Sequence, residues 1–181
     1  MTHQSLTELE AGLDHVRAAP SDLGTVELLV RRPGPGEREL LNSGQFDLRR
    51  GLVGDRWGER AKNPDFQVTA TSARMTSLIA AGDDPERWAE AGDQLYLDFD
   101  LSVANLPVGA WFEIGEARFE VTPPPHRGCG KYERRFGADA LELVRSPLGQ
   151  ELRLRGVHAR VVEAGAVTVG DVVRTISPVS G

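Results

Sequence analysis

The sequence predicts a mainly β domain, a closed barrel or sandwich carrying a few short helices. Three observations point there. From Gln94 onward, short β-rich runs (QLYLDFDLSV, AWFEIG, ARFEVTPP, VHARVVEAG and DVVRTI) recur between Gly and Pro signals, the pattern of small strands joined by turns. The chain has 181 residues, 40% hydrophobic and 27% charged, which suits one globular domain with a substantial core. No internal repeat or low-complexity tract interrupts it.

Residues 5–19 read as a helix. Ser5 and Glu8 have capping-box spacing, Leu6, Leu9, Leu13 and Val16 share one face, and Pro20 ends the run. The expected organisation is a helical appendage over 1–24 and a single barrel domain over 25–181. TVELLVRR (25–32) reads as a strand and PGPGE (33–37) as a turn. Glycines and charges over 39–64 suggest short strands with a long functional loop. FQVTATS (66–72) is a strand by composition. Met75, Leu78 and Ile79 give SARMTSLIAAG (72–82) a helical period, and PERWAEAG (85–92) is a second short helix, with Trp88 in the core or at an interface. A further helix is expected over FGADALELVRSP (136–147), where Leu141, Val144 and Leu148 suit one apolar face.

Composition excludes several functions. A net charge of -6 argues against a general nucleic-acid binder, which needs surplus Lys and Arg to neutralise phosphates. The N-terminus lacks the basic start and apolar run of a signal peptide, and no apolar stretch approaches a membrane span; a cytoplasmic location is the expectation. The only lysines are Lys62 and Lys131, which leaves two candidates for any Schiff-base chemistry. One cysteine, Cys129, precludes an internal disulfide.

That cysteine lies in the most informative segment, TPPPHRGCGKYERRFG (122–137). Three prolines stiffen the approach, and Gly128 and Gly130 would let the backbone come close to a ligand. His126, Arg127, Lys131, Arg134 and Arg135 surround the thiol in sequence. Positive charge favours thiolate over thiol, and a thiolate is what nucleophilic attack, sulfur transfer and soft-metal ligation require. The arginines could also hold a phosphate bidentately. For an average lone Cys, a buried and inert residue would be favoured by roughly two to one; the glycines and cations reverse those odds. A zinc site from His126 and Cys129 falls short of the four ligands zinc takes. His158, alternating with Val157 and Ala159 on a strand, is expected to have one face in solvent and is given no role.

From about Gly51 to Ile176 the chain resembles the MOSC domains, named for the C-terminal region of molybdenum-cofactor sulfurases. Three segments carry the resemblance. GLVGDRW (51–57) is similar to an early Gly-x-x-Gly-Asp-Arg motif, the Cys129 segment to a Cys-bearing motif after a strand, and RGVHARVVEAGAVTVGDVV (155–173) to the closing strand pair. Many members have Pro where this chain has Gly128, and a Gly-Glu-Asn-Leu motif survives only as GDQL (92–95).

The resemblance implies a MOSC-type closed β-barrel with a few short peripheral helices, its Cys facing a cleft. It implies the molybdenum cofactor (molybdopterin), with Cys129 as metal-ligating or sulfur-carrying thiolate, in a small oxidoreductase component reducing N-oxygenated compounds. The alternative is a non-catalytic sulfur or cofactor carrier. Carried over by motif, Arg56 would hold the cofactor's phosphate or orient its loop, and Asp55 would cap that loop or pair with Arg56. Thr69 could offer a hydroxyl, and Arg155 could pair with an anion in the cleft; His126, Arg127 and Lys131 complete the cofactor-binding set. Pyridoxal phosphate on Lys131 is a poor fit, because the sulfur-generating domain that uses it has no room here. A reductase or sulfur-donor protein and a small-molecule substrate are the implied partners, with no nucleic acid and no membrane.

Overall fold

Residues 3–59 and 63–177 are described by a computed structural model of the chain. Lys62, one of the two lysines, and part of the expected loop over 39–64 lie outside the described residues.

Eleven strands are described: β1 (Gly24–Arg31), β2 (Glu39–Leu41), β3 (Ser43–Asp47), β4 (Gly51–Leu52), β5 (Val68–Ser72), β6 (Leu95–Asp98), β7 (Trp111–Ile114), β8 (Ala117–Pro125), β9 (Val157–Glu163), β10 (Gly165–Thr168) and β11 (Val172–Ile176). Seven close on themselves in the order β11-β7-β8-β9-β5-β6-β1, because β1 also pairs with β11. The β5–β6 pair is parallel and the other barrel pairs are antiparallel. Closure removes the exposed edges that an open sheet would carry. β2 extends from β1, and β10, β3 and β4 form a separate three-stranded sheet.

Alternation along the strands builds two cores. Val26, Leu29, Leu95, Leu97, Phe112 and Phe119 belong to the first, where Phe119 stacks on Phe112 at 5.2 Å and meets the edge of Phe46 at 5.0 Å. Leu28, Val30 and Tyr96, next to those residues in sequence, point the other way, into a second core shared with the helices. β1 and β6 are therefore apolar on both faces, which is why ELLV and LYL read as nearly continuous hydrophobic runs. Each such side chain withdrawn from water contributes roughly 1.5–3 kcal/mol.

The helices covering the second core are α1 (Leu6–Ala11), α2 (Leu13–Arg17), α3 (Ala73–Ala80), α4 (Pro85–Ala89), α5 (Gly130–Phe136), α6 (Ala138–Arg145) and α7 (Pro147–Glu151). The expected helix over 5–19 is two, broken at Gly12, where a Cβ would lie 2.4 Å from Leu78 Cδ1. Its capping box forms as read: Ser5 accepts from the Glu8 amide and Glu8 reaches back to the Ser5 amide. Leu9, Leu13 and Val16 lie in the second core, and the Leu6 amide donates to the Asp139 carboxylate at 2.8 Å. Trp88 is in that core as well. Leu141 and Val144 are buried on α6, while Leu148 packs on the same core from α7. The helix α5, immediately after Cys129, precedes the helix expected over 136–147 and has no counterpart in the sequence reading. No helix among the described residues is long and apolar enough to cross a membrane.

Candidate functional site around Cys129

β8 carries Pro123, Pro124 and Pro125 to its end. A short turn through His126, Arg127 and Gly128 then delivers Cys129 to the N-cap of α5, with φ -124° and ψ 176°. Gly128 is buried, and a Cβ there would lie 2.5 Å from Leu141 Cδ1 and 3.2 Å from Tyr132. The close approach this glycine permits is thus to the protein's own α5 and α6, not to a ligand. Arg145 fixes the turn from α6 by donating to the Gly128 carbonyl at 2.6 Å.

The Cys129 thiol is exposed and makes no capping hydrogen bond. Partial burial opposes its ionisation. The amides of Tyr132 and Lys131 at the start of α5, with the charges of Arg155 and Lys131, outweigh that and hold the thiol below its ordinary value.

Beneath this turn lies a buried polar cluster. Asp93, on the GDQL segment, is fully enclosed. Its Oδ1 is 2.7 Å from His126 Nε2, and its Oδ2 accepts from Arg155 at 2.5 Å. Burial alone would raise the Asp93 carboxyl; Arg155 and His126 overcome it and hold it far below the usual carboxylate range. An ionised Asp93 only accepts, so His126 donates through Nε2–H and its Nδ1 is left as the acceptor. Burial, then the Arg155 charge, push the His126 pKa down, keeping the ring neutral near pH 7. Arg155 also donates to the Ala91 carbonyl at 2.9 Å and places its guanidinium over the Tyr132 ring at 4.9 Å. Its Nε is buried without a partner among the described residues. His158 packs 4.5 Å from His126 and 4.9 Å from Phe66, centroid to centroid, and burial depresses its pKa to about 3.

The residues singled out from the sequence separate into groups. Cys129, Lys131, His126 and Arg155 converge on the α5 turn, and Arg56 joins Lys131 in a hollow of about 220 Å³ with Gly36, Arg38, Arg134 and Arg135. Arg127 faces a different hollow beside Arg145 and Gln150. Asp55 does cap its loop, accepting from the Trp57 amide at 3.0 Å, but its ion-pair partner is Arg32 at 2.8 Å and not Arg56. Arg32 lies on the neighbouring β1 side of the loop and reaches Asp55 with its amide and guanidinium together. Thr69 donates its hydroxyl to Gln94 at 2.6 Å, inside the barrel wall and opposite His158 in register. The anion that Arg155 meets is the protein's own Asp93. His158 is half-buried: Phe66 packs edge-on against its ring from the turn before β5, and the ring also lines a hollow of about 200 Å³ with His126.

Asp93, Arg32 and His158 escaped sequence reasoning. GDQL was the available signal for Asp93: a carboxylate directly before a buried strand must find a cation. Nothing local marks its partners, which arrive from 33 and 62 residues away.

A closed barrel that presents one exposed thiol, its pKa held below the ordinary value, near a cationic hollow is the class the fold and site define. The chain belongs to the MOSC domain family, whose model matches residues 58–174. No curated protein sequence matches it. Solved structures share the fold. The YuaD protein of Bacillus subtilis is 16% identical with a TM-score of 0.62, over 86% of this chain and 97% of that one. YiiM from Escherichia coli is 20% identical with a TM-score of 0.57, over 87% and 72%. YiiM from Geobacillus stearothermophilus is 14% identical with a TM-score of 0.59, over 86% and 75%. The MOSC-type barrel expected from the three motifs is therefore the fold observed.

MOSC domains are associated with the molybdenum cofactor, and the donor set fits such a group in one respect. Among the described residues no group of three or more His, Cys, Asp or Glu could hold a metal ion alone. A lone soft thiolate can complete a coordination sphere only when the metal arrives with its own ligands, as it does in an organic cofactor. Cys129 would be the ligand, and the cations around it would meet the cofactor's anionic groups.

Proposed function

We propose that this MOSC domain is a small molybdenum-cofactor-dependent oxidoreductase component that reduces N-oxygenated compounds through the site at Cys129. The observation that supports it most is the exposed Cys129 thiol, biased towards thiolate at the head of α5 and flanked by cations. Bound there, the cofactor would supply two-electron chemistry for cleaving an N–O bond. Cys129 would hold it through sulfur, with Lys131 and Arg56 facing its negative charge. Asp93 fixes His126 as the Nε2–H tautomer, leaving Nδ1 to accept a hydrogen bond from a substrate or water. With one cysteine the chain cannot build a cysteine-ligated iron–sulfur cluster, so electrons would come from a partner reductase.

A sulfur or cofactor carrier is the second reading, favoured by the exposure of the same thiol, which a donor protein could reach directly. Wild type and Cys129→Ala, produced anaerobically in a molybdenum-replete host, separate the two readings. The oxidoreductase predicts near-stoichiometric molybdenum in wild type, its loss in the variant, and turnover of a hydroxylamine or amidoxime with an artificial reductant. A persulfide on Cys129 by mass spectrometry without turnover would support the carrier. Failure to bind molybdenum even from free cofactor supplied in vitro would overturn the oxidoreductase.

A further inference from the structure

A groove of about 550 Å³ is bounded by α2, β1, α3, α4 and the end of β6. Its floor is apolar: Leu28, Ala73 and Trp88, all buried. Trp88 is held from two directions, its ring stacked on Tyr96 at 6.3 Å and its indole N–H donating to the Gly82 carbonyl at 2.8 Å. The walls are acidic. Asp98 is paired with Arg74 at 2.6 Å. Glu27 and Asp83 meet no cation among the described residues; their carboxylates accept from the hydroxyls of Thr25 and Ser77. Asp84 and Glu86 follow Asp83 at the start of α4, exposed and equally without a cationic partner among the described residues. The groove is separate from the Cys129 site, although α4 touches both. Pro85 and Trp88 line the groove, while the carbonyls of Ala89, Glu90 and Ala91, at and just past the C-terminal end of α4, accept from Arg38, Arg135 and Arg155.

We propose that this groove docks a basic segment of a partner protein, which sets an apolar side chain over Trp88 and ranges Lys or Arg along the rim. Charge complementarity selects the occupant. Glu27, Asp83, Asp84 and Glu86 are carboxylates without a counter-ion around one concavity, and together they attract a polycation. An apolar floor inside a charged rim is also the layout of a protein interface, where the buried centre supplies affinity and the rim charges set encounter rate and specificity. A small-molecule pocket has the opposite balance, with mostly apolar walls and a few polar groups. Docking here requires neither molybdenum nor a thiol at position 129.

The test is calorimetric titration of the full chain with three probes at fixed salt: a short lysine–leucine peptide, a lysine–serine peptide of the same charge, and spermine. The lysine–leucine peptide should bind at least about tenfold tighter than either of the others and should lose affinity as salt rises. Glu27→Lys and Asp83→Lys, both at exposed positions, should each weaken it by about fivefold or more. Glu151→Lys makes the same change of net charge at an exposed position on α7, outside the groove, and should leave the affinity near that of wild type. Cys129→Ala should bind the peptide as wild type does, so a failure of the molybdenum reading leaves this result standing. Absence of binding would overturn the proposal. So would equal weakening by Glu151→Lys, which would reduce the attraction to net charge. Spermine binding as tightly as the lysine–leucine peptide would overturn it and make the groove a site for a small cation. Self-association of the wild type that Glu27→Lys abolishes would also overturn it and make the groove an interface between copies of this chain.

Discussion

Arg155 and Asp93 form an ion pair at 2.5 Å, with 8% and 0% of their side chains exposed, directly beneath the turn that carries Cys129. Each charge is tolerable only because of the other. Asp93→Asn would leave the Arg155 guanidinium buried against a neutral amide and release His126 as well. It should cost about 3–5 kcal/mol in urea denaturation. The double change Asp93→Leu with Arg155→Met removes both charges and should recover a large part of that loss. If the double variant were as unstable as the sum of the singles, the pair would not be coupled as its geometry requires.

The same cluster sets the response to acid. His158 titrates near 6.5 when unfolded and at about 3 when folded. Between those values the unfolded chain binds a proton that the folded chain refuses, so stability falls as pH is lowered through this window. His126, also depressed, acts in the same sense. The depressed Asp93 adds a further loss once the pH drops below its unfolded value of 3.8. His158→Phe keeps an aromatic ring against Phe66 and removes the proton acceptor. Its urea midpoint should therefore decline less than that of wild type between about pH 7 and about pH 4. Parallel declines in the two proteins would exclude His158 as a source of acid sensitivity.

The fold was legible because barrel strands announce themselves: a period of two, a turn residue at each end, and double-sided apolar runs where helices cover the wall. The thiol was legible from its cationic neighbours. What escaped was pairing across distance. Asp55 stands beside Arg56 in sequence, yet β1 brings Arg32 closer in space. Gly128 read as room for a ligand, while the space is filled by Leu141.

Cys129 should behave as an activated thiol. Its alkylation by iodoacetamide, followed against pH in the native protein, should show a midpoint below that of a free cysteine, about 8.5. Lys131→Gln removes the smallest of the stabilising contributions and leaves the backbone amides and Arg155 in place, so the midpoint should move up only slightly. Slow alkylation that accelerates only on unfolding would instead mark Cys129 as an inert thiol and remove the basis for its proposed role.

The N-terminal helices supply the last test. Leu9 is completely buried, in a core that also holds Met75, Ile79, Phe136 and Leu141. That core is continuous with the site, since Leu141 is also the residue against which Gly128 packs. Leu9→Ala should therefore cost about 2–5 kcal/mol and lower the main unfolding transition, which should remain single. Should α1 and α2 instead fold apart from the barrel, the main transition would be unmoved and a separate early step would appear by circular dichroism. Because the coupling runs through α6, the variant should also loosen the Cys129 turn. Alkylation below the unfolding transition would then quicken, a change that a detached appendage could not transmit.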